Sequence, residues 1–286
     1  MIRAINLDSS FLPVPVPEIE FDLVKFSAGE VHIKLNNRIN YEKITKVVIT
    51  HRVQSSDDLM LIFLTTDALR RKGITSIDLV LPYLPYARQD RQCVDGEPFS
   101  LEVLAKLINS QDYLKVITFD VHSLVASTLI NRLENVSNED YVNRTLLVLN
   151  QVRKITDISL VSPDKGASQK SKALFESTRV FTNLIQCEKT RDPQTGALSG
   201  FTVLAEDLKG RDCLIVDDIC DGGGTFIGVA KALKNRNAGD LYLFVTHGIF
   251  SRGFTELRKY YKDIFTTNTF KDWNMDGVVK QFKIGL

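Results

Sequence analysis

The chain has 286 residues, with 36 lysines and arginines against 35 aspartates and glutamates and a formal net charge of +1. That balance excludes an overall electrostatic footprint for nucleic acid or an anionic membrane, but not a local basic pocket for a small phosphorylated ligand. With 44% apolar residues the chain can fill a sizeable core, and its length suits one large domain or two of about 130–150 residues.

Cys93, Cys187, Cys213 and Cys220 form no C-x-x-C pair and have no histidine pair nearby, so neither a zinc site nor a disulfide framework is expected. A reducing cytoplasm is the natural setting for such thiols. The opening MIRAINLDSSF lacks an apolar core of signal-peptide length, and no run of about 18 apolar residues occurs anywhere, so a cytoplasmic protein without a membrane segment is expected.

In chain order, KVVIT (46–50) is the first short β-branched run that reads as a buried strand. DDLMLIFLTTDALRRKG (57–73) follows at helical spacing and ends on Arg, Lys and Gly, a helix stop. SIDLVLP (76–82) reads as a strand, SLEVLAKLINS (100–110) as a helix, and LKVITFD (114–120) as a strand. The polar stretch ENVSNEDY (134–141) is the expected domain boundary, dividing the chain into residues 1–140 and 141–286. Beyond it come strands at DISLVSPD (157–164), DCLIVDD (212–218) and LYLFVTHG (241–248), with a helix at TFIGVAKALKNRNAG (225–239). EKTRDPQTGALSG (188–200) is expected to be a mobile loop, and loops of that length inside a compact domain are commonly functional. Strands alternating with helices predict an α/β fold of mainly parallel sheets flanked by helices.

In such sheets ligands bind beyond the carboxyl ends of the strands. The chemically suggestive strings TFDVH, VSPDKG, IVDDICDGGGT and VTHG all fall at predicted strand ends. The third, residues 215–225, fits neither the P-loop, since no lysine follows Gly224, nor the dinucleotide pattern, since Ile227 replaces the last glycine. What remains is a strand, an acidic pair, a glycine turn and a helix opening at Thr225. Free N–H groups at the helix start favour a phosphate, while Asp217 and Asp218 suit sugar hydroxyls. A ribose phosphate satisfies both. The plain structural alternative is a capped helix with surface acids, but three acids and three glycines within residues 217–224 favour the ligand.

This stretch resembles the phosphoribosyl-pyrophosphate (PRPP) binding motif of type I phosphoribosyltransferases. PYLPYARQDR (82–91), FDVH (119–122), VSPDKG (161–166), VDDICDGGGT (216–225) and THGIFS (246–251) together are similar, in order and spacing, to ribose-phosphate pyrophosphokinases over nearly the whole chain. The resemblance implies two similar phosphoribosyltransferase-type domains, an N-terminal ATP-binding one and a C-terminal ribose-phosphate-binding one, whose last residues could pack back on the first. It implies Mg²⁺-dependent transfer of the β,γ-diphosphoryl group of ATP to the anomeric hydroxyl of ribose 5-phosphate, giving PRPP and AMP. It also implies a homo-oligomer built from dimers, up to a hexamer.

Residue roles follow from the same resemblance. In KFSAGE (25–30), Phe26 would stack on adenine and Glu30 would accept from its amino group, in the first domain of a neighbouring subunit. Arg88 and Gln89 would reach the nucleotide, supported by Asp90 and Arg91. His122 and Asp164 would be metal-associated, with His122 also close to the chemistry. Asp217, Asp218, Asp221, Gly222, Gly223, Gly224 and Thr225 would hold the ribose phosphate. Lys189 and Arg191 would sit on a catalytic lid. His32, His51 and His247 keep a structural reading, although His247 lies in a family string.

Three departures from the family pattern matter. Gly222 stands where the usual Asp-Thr-x-Gly-Thr loop carries threonine, removing a hydroxyl and opening space. A 5′-substituted acceptor such as ADP-ribose, giving ADP-ribose 1-pyrophosphate for NAD synthesis, is therefore an alternative to ribose 5-phosphate. QCVDGEPFS (92–100) is acidic where the family loop is arginine-rich, so weak or absent regulation by ADP and phosphate is expected. Ala28 replaces an acid near the expected adenine site. Two further alternatives are a PRPP-consuming transferase, which needs only one such domain, and a non-catalytic regulatory family member.

Overall fold

The structure, a computed structural model, describes the chain outside residues 179, 192–197 and 274–276, with residues 190, 191, 198 and 199 described by backbone alone. The chain forms two compact units, Met1–Ser137 with Lys283–Leu286, and Asn138–Phe282.

The first unit is built on a five-stranded parallel sheet in the order β1 (Ile2–Asn6), β4 (Lys46–Thr50), β5 (Ile77–Val80), β6 (Lys115–Phe119) and β7 (Leu133–Val136). A separate antiparallel hairpin, β2 (Phe21–Lys25) and β3 (Val31–Leu35), is inserted after β1. Helices α1 (Ser56–Arg71), α2 (Ser100–Asn109) and α3 (Val125–Leu129) make the later crossovers. Local chemistry fixes α1 at both ends. Ser55 and Asp58 form a capping box, Asp57 and Asp58 face the positive end of the helix dipole, and Arg70 and Arg71 face the negative end. Gly73, at φ +82°, then turns the chain. The stripe Leu61, Ile62, Thr65, Thr66 and Leu69 is the buried face of α1, and the two leucines and Ile62 share a core with Val47, Ile49 and Leu79.

The second unit opens with α4 (Glu139–Val148) and carries a seven-stranded sheet. Its strands run in the order β10 (Leu198–Val203), β9 (Phe181–Arg191), β8 (Ile158–Ser162), β11 (Cys213–Cys220), β12 (Leu241–Gly248), β13 (Tyr261–Thr267) and β14 (Val279–Phe282). All neighbours are parallel except β10 and β9. Helix α5 (Ser168–Ser177) follows β8, and α6 (Gly224–Lys234) follows β11, burying Phe226, Val229, Ala230 and Leu233 against Ile215, Leu243 and Val245. β12 is buried at every residue, as its unbroken apolar run predicts. From β8 the chain first steps one way, to β9, and later the other way, to β11. The β8/β11 junction is therefore a topological switch point, where the two crossovers leave a crevice at the carboxyl ends. The five-strand sheet has no such reversal, so the two units differ in where a crevice can open.

The division between the units, Ser137 to Asn138, falls inside ENVSNEDY, and one other segment differs from the sequence expectation. ENVSNEDY is polar because β7 is a half-exposed edge strand, and after it only residues 137 and 138 precede α4. Within EKTRDPQTGALSG, residues 188–191 continue β9 and residues 198–200 begin β10, so the described part is antiparallel ribbon instead of loop. β9 pairs with β8 through Gln186, then runs on paired to β10 alone, with Lys189 opposite Phe201. A ribbon projecting past its sheet has little face to bury, so its polarity imitates a loop.

Candidate functional site

The switch point gathers the acids of two strand ends. Asp164 lies just after β8, and its carboxylate accepts from the Ala167 amide at 3.0 Å and from Lys189 Nζ at 2.5 Å. Gln186, on β9, donates through its amide to the Asp164 carbonyl at 2.9 Å and fixes the turn. A Cβ on Gly166 would come 3.2 Å from Asp164 Oδ1, so that glycine keeps the carboxylate uncrowded. Burial alone would raise the Asp164 carboxyl, but Lys189 and the Ala167 amide outweigh it and hold it below the ordinary range.

Asp217 and Asp218 sit near the end of β11. The Asp218 amide donates to Asp217 Oδ1 at 2.9 Å, and Asp218 lies 3.7 Å from Lys170 Nζ on α5. Removal from water, then the charge of Asp218, with a smaller push from Asp164, raises the Asp217 carboxyl well above its usual range. Two carboxyls side by side can accept hydrogen bonds from neighbouring hydroxyls, which matches a vicinal diol.

Beyond Asp221 the backbone turns through Gly222 and Gly223 into α6. Gly223 is the N-cap at φ +78°, and an added side chain would press on Leu257, so glycine is required there twice over. The helix opens at Gly224, one residue before the expected Thr225, and space beside Gly224 is open. No side chain caps this helix, so its first N–H groups point at whatever occupies the loop.

The ribbon bearing Lys189 is fastened to the same helix. Phe201, opposite Lys189, packs against Gly228 of α6 so closely that a Cβ there would overlap the ring. Arg191 ends β9, and its side chain lies outside the described residues. Lys170, Gln186, Gly228 and Arg252 join this site although the sequence reading did not single them out. Only Lys170, six residues after Asp164 on a helix face, carried a local signal.

The remaining candidates lie in the first unit. His122 is exposed on the turn after β6, where Asp120 adopts φ +39° and the Val121 amide is tied to Asn135 at 2.9 Å. The Arg88–Arg91 turn follows β5. Tyr86 is at φ +61°, and Gln89 accepts from Ser100 Oγ at 2.6 Å and through its carbonyl from the Leu101 amide, tying the turn to α2. Arg88 and Arg91 are exposed and Asp90 is half-buried. Phe26 is 52% exposed at the hairpin tip, 5.7 Å from the His32 ring, and Glu30 is exposed beside it. The tip turn requires Gly29, at φ +101°, while Ala28 has no such constraint. His51 is buried against Asp58, and His247 is buried with Nδ1 2.8 Å from Thr269 Oγ1.

Among the described residues no three histidine, cysteine, aspartate or glutamate side chains form a metal cage, and no helix is long and apolar enough to cross a membrane. Residues 12–111 match the family model for the N-terminal domain of ribose phosphate pyrophosphokinase, and residues 133–283 match that for the phosphoribosyl transferase domain. A ribose-phosphate pyrophosphokinase of Granulibacter bethesdensis is 30% identical over 240 residues, covering 83% of this chain and 74% of that protein. One from Pyrococcus furiosus is 30% identical over 259 residues, covering 89% and 87%. In fold, the chain is similar to the crystal structure of phosphoribosylpyrophosphate synthetase from Mycobacterium smegmatis, with a TM-score of 0.81 at 21% identity over 99% of this chain and 94% of that one. Two family models spanning both units and relatives matched along most of their length agree: the chain belongs to the ribose-phosphate pyrophosphokinase family.

Proposed function

We propose that the protein transfers the β,γ-diphosphoryl group of ATP to the anomeric hydroxyl of ribose 5-phosphate, releasing AMP. The observation that carries this reading is the joining, at one switch point, of a paired acid for a diol, an uncapped glycine turn for a phosphate and a lysine held 2.5 Å from Asp164. Asp217 and Asp218 orient the ribose through its hydroxyls, and the Gly222–Thr225 turn takes the 5′ end. Lys189 moves from Asp164 to the transferring phosphates, adding positive charge where negative charge is redistributed in the transition state. Arg191 acts with it on the same ribbon. Phe26 and Glu30 hold adenine, with Arg88 and Gln89 on the nucleotide and Asp90 and Arg91 bracing that turn; the exposed ring of Phe26 supports this reading.

Mg²⁺ fits the donor set: hard carboxylate oxygens, with no three-ligand cage among the described residues, suit an ion held by one or two carboxylates together with substrate phosphates. Asp164 in the second unit and His122 in the first are each, separately, a proposed metal-associated residue, and Mg²⁺ would neutralise charge on the triphosphate.

The space beside Gly222 bears on the acceptor. It is bordered by the Arg252 side chain, with Nε 3.5 Å from where a Cβ would stand, an ordinary contact distance, so a cation lines the room left by the missing threonine. That favours an anionic 5′ group on the acceptor, for which ribose 5-phosphate is the acceptor proposed and ADP-ribose the alternative. Incubation with ATP, Mg²⁺ and each acceptor, with AMP counted and product mass measured, tests the reading. Absence of AMP with every acceptor would instead support a regulatory role.

A further inference from the structure

Gly222 and Arg252 are 30 positions apart in sequence, yet the Arg252 side chain lies directly beside Gly222. A Cβ on Gly222 would stand 3.5 Å from Arg252 Nε, 3.6 Å from Cδ and 3.9 Å from Cζ. The backbone holds the two segments together. The amides of Ile249 and Phe250 both donate to the Cys220 carbonyl at 2.9 and 3.0 Å, and the Ser251 amide donates to the Asp221 carbonyl at 3.1 Å. A turn closed by the Gly253 amide on the Phe250 carbonyl, at 2.8 Å, then presents Arg252.

That turn is strained, and it is anchored. Phe250 lies at φ +43°, a conformation that a bulky residue adopts only when its surroundings enforce it. The enforcement is visible: Phe250 is buried, its ring lies tilted 4.5 Å from Phe254 and edge-on 5.6 Å from Trp273, and Gly248 lacks the Cβ that would strike it. A rigid aromatic base thus carries an exposed guanidinium to the glycine loop. Among the described residues Arg252 makes no hydrogen bond or ion pair, although Asp221 is close along the pinned backbone. A cation aimed at a loop that has no side chain of its own, beside uncapped helix amides, is arranged for an anion.

We propose that Arg252 binds the 5′-phosphoryl group of the acceptor sugar and sets the enzyme's preference for it. The inference rests on the diphosphoryl transfer proposed above and adds a residue to its acceptor side. Guanidinium pairs with phosphate through parallel hydrogen bonds that an ammonium reproduces only as a point charge. A Cβ on Gly222 would stand at ordinary contact distance from Arg252, so only the further atoms of a branched residue there would bear on the same side chain.

The test is steady-state AMP release at saturating ATP with ribose 5-phosphate, ADP-ribose and ribose as acceptors, for wild type, Arg252→Ala, Arg252→Lys, Gly222→Thr and the Gly222→Thr/Arg252→Ala pair. Arg252→Ala is expected to raise the KM of the phosphorylated acceptor by roughly 10–100-fold, the worth of a charge-assisted contact, while kcat and the KM for ATP stay within about threefold. Arg252→Lys recovers part of the loss, and any reaction with ribose is indifferent to residue 252. Gly222→Thr raises the same KM, but adds less once Arg252 is gone. Arg252 is exposed, so the variants should melt with wild type. A wild-type enzyme active on a 5′-phosphorylated acceptor whose KM ignores Arg252→Ala would overturn this inference alone. A wild-type enzyme that releases no AMP with any acceptor would overturn the proposed reaction and this inference with it.

Discussion

Lys189→Ala separates the catalytic role of the ribbon from a structural one. Lys189 Nζ meets the Asp164 carboxylate at 2.5 Å, with the two side chains 30% and 21% exposed. A partly solvated pair of this kind contributes only about 0.5–1 kcal/mol to folding after screening, so the variant should melt within a few degrees of wild type. The effect on turnover is far larger if Lys189 serves the transferring phosphates. A hundredfold loss corresponds to ~2.7 kcal/mol of transition-state stabilisation, within the range for a charged donor in a water-poor site. We therefore expect kcat to fall at least about a hundredfold while ATP and acceptor binding remain nearly intact. Losing the lysine also frees Asp164 from the partner that holds its carboxyl low, so Asp164 should titrate higher in the variant. Rapid-quench measurement of AMP in a single turnover, with equilibrium binding of each substrate, reads these terms separately. Turnover within about threefold of wild type would refute a role in phosphoryl transfer, since no ordinary charge-assisted contact is worth so little.

Three other predictions come from the same geometry. The Asp217 carboxyl is raised above 3.8, so between 3.8 and its raised value the folded protein holds a proton that the unfolded chain has lost, and stability falls as pH rises through that window. Asp217→Asn should accordingly melt higher than wild type near pH 8, by about 2–8 °C for ~1–2 kcal/mol, with the difference closing below about pH 4 and activity lost at every pH; equal melting at both pH values would contradict the charge argument. Gly228→Ala drives a methyl into the Phe201 ring, and the ribbon that carries Lys189 must shift; a loss of about 1–3 kcal/mol in stability with a lower kcat is expected, and an unchanged kcat would show that ribbon position does not matter. Phe26→Ala removes an exposed ring with little structural cost and should raise the KM for ATP roughly tenfold while leaving acceptor KM unchanged, as initial rates would show.

What could be read in the sequence divides along a physical line. β12 and α1 were legible because one depends on an unbroken apolar run and the other on local caps at both ends. The placement of Asp164, Asp217 and Asp218 was legible too, because parallel strands deliver their carboxyl ends to one side. The β9–β10 ribbon was hidden because it is held by the pairing of its two strands with each other and by Phe201 on Gly228, while its own residues are polar. Arg252 was hidden for the same reason: only the hydrogen bonds from Ile249, Phe250 and Ser251 to the end of β11 bring it over Gly222. The room at Gly222 was legible, but a missing side chain says nothing of the cation that a neighbouring turn places at its edge.

The central claim is the transfer of a diphosphoryl group, and the identity of the nucleotide product tests it most directly. With ATP, Mg²⁺ and ribose 5-phosphate, the products should be AMP and a sugar carrying a diphosphate on its anomeric oxygen, formed one for one and identified by phosphorus NMR and mass. Formation of ADP with a singly phosphorylated sugar, or an ATP pool that does not change with any acceptor, would contradict it.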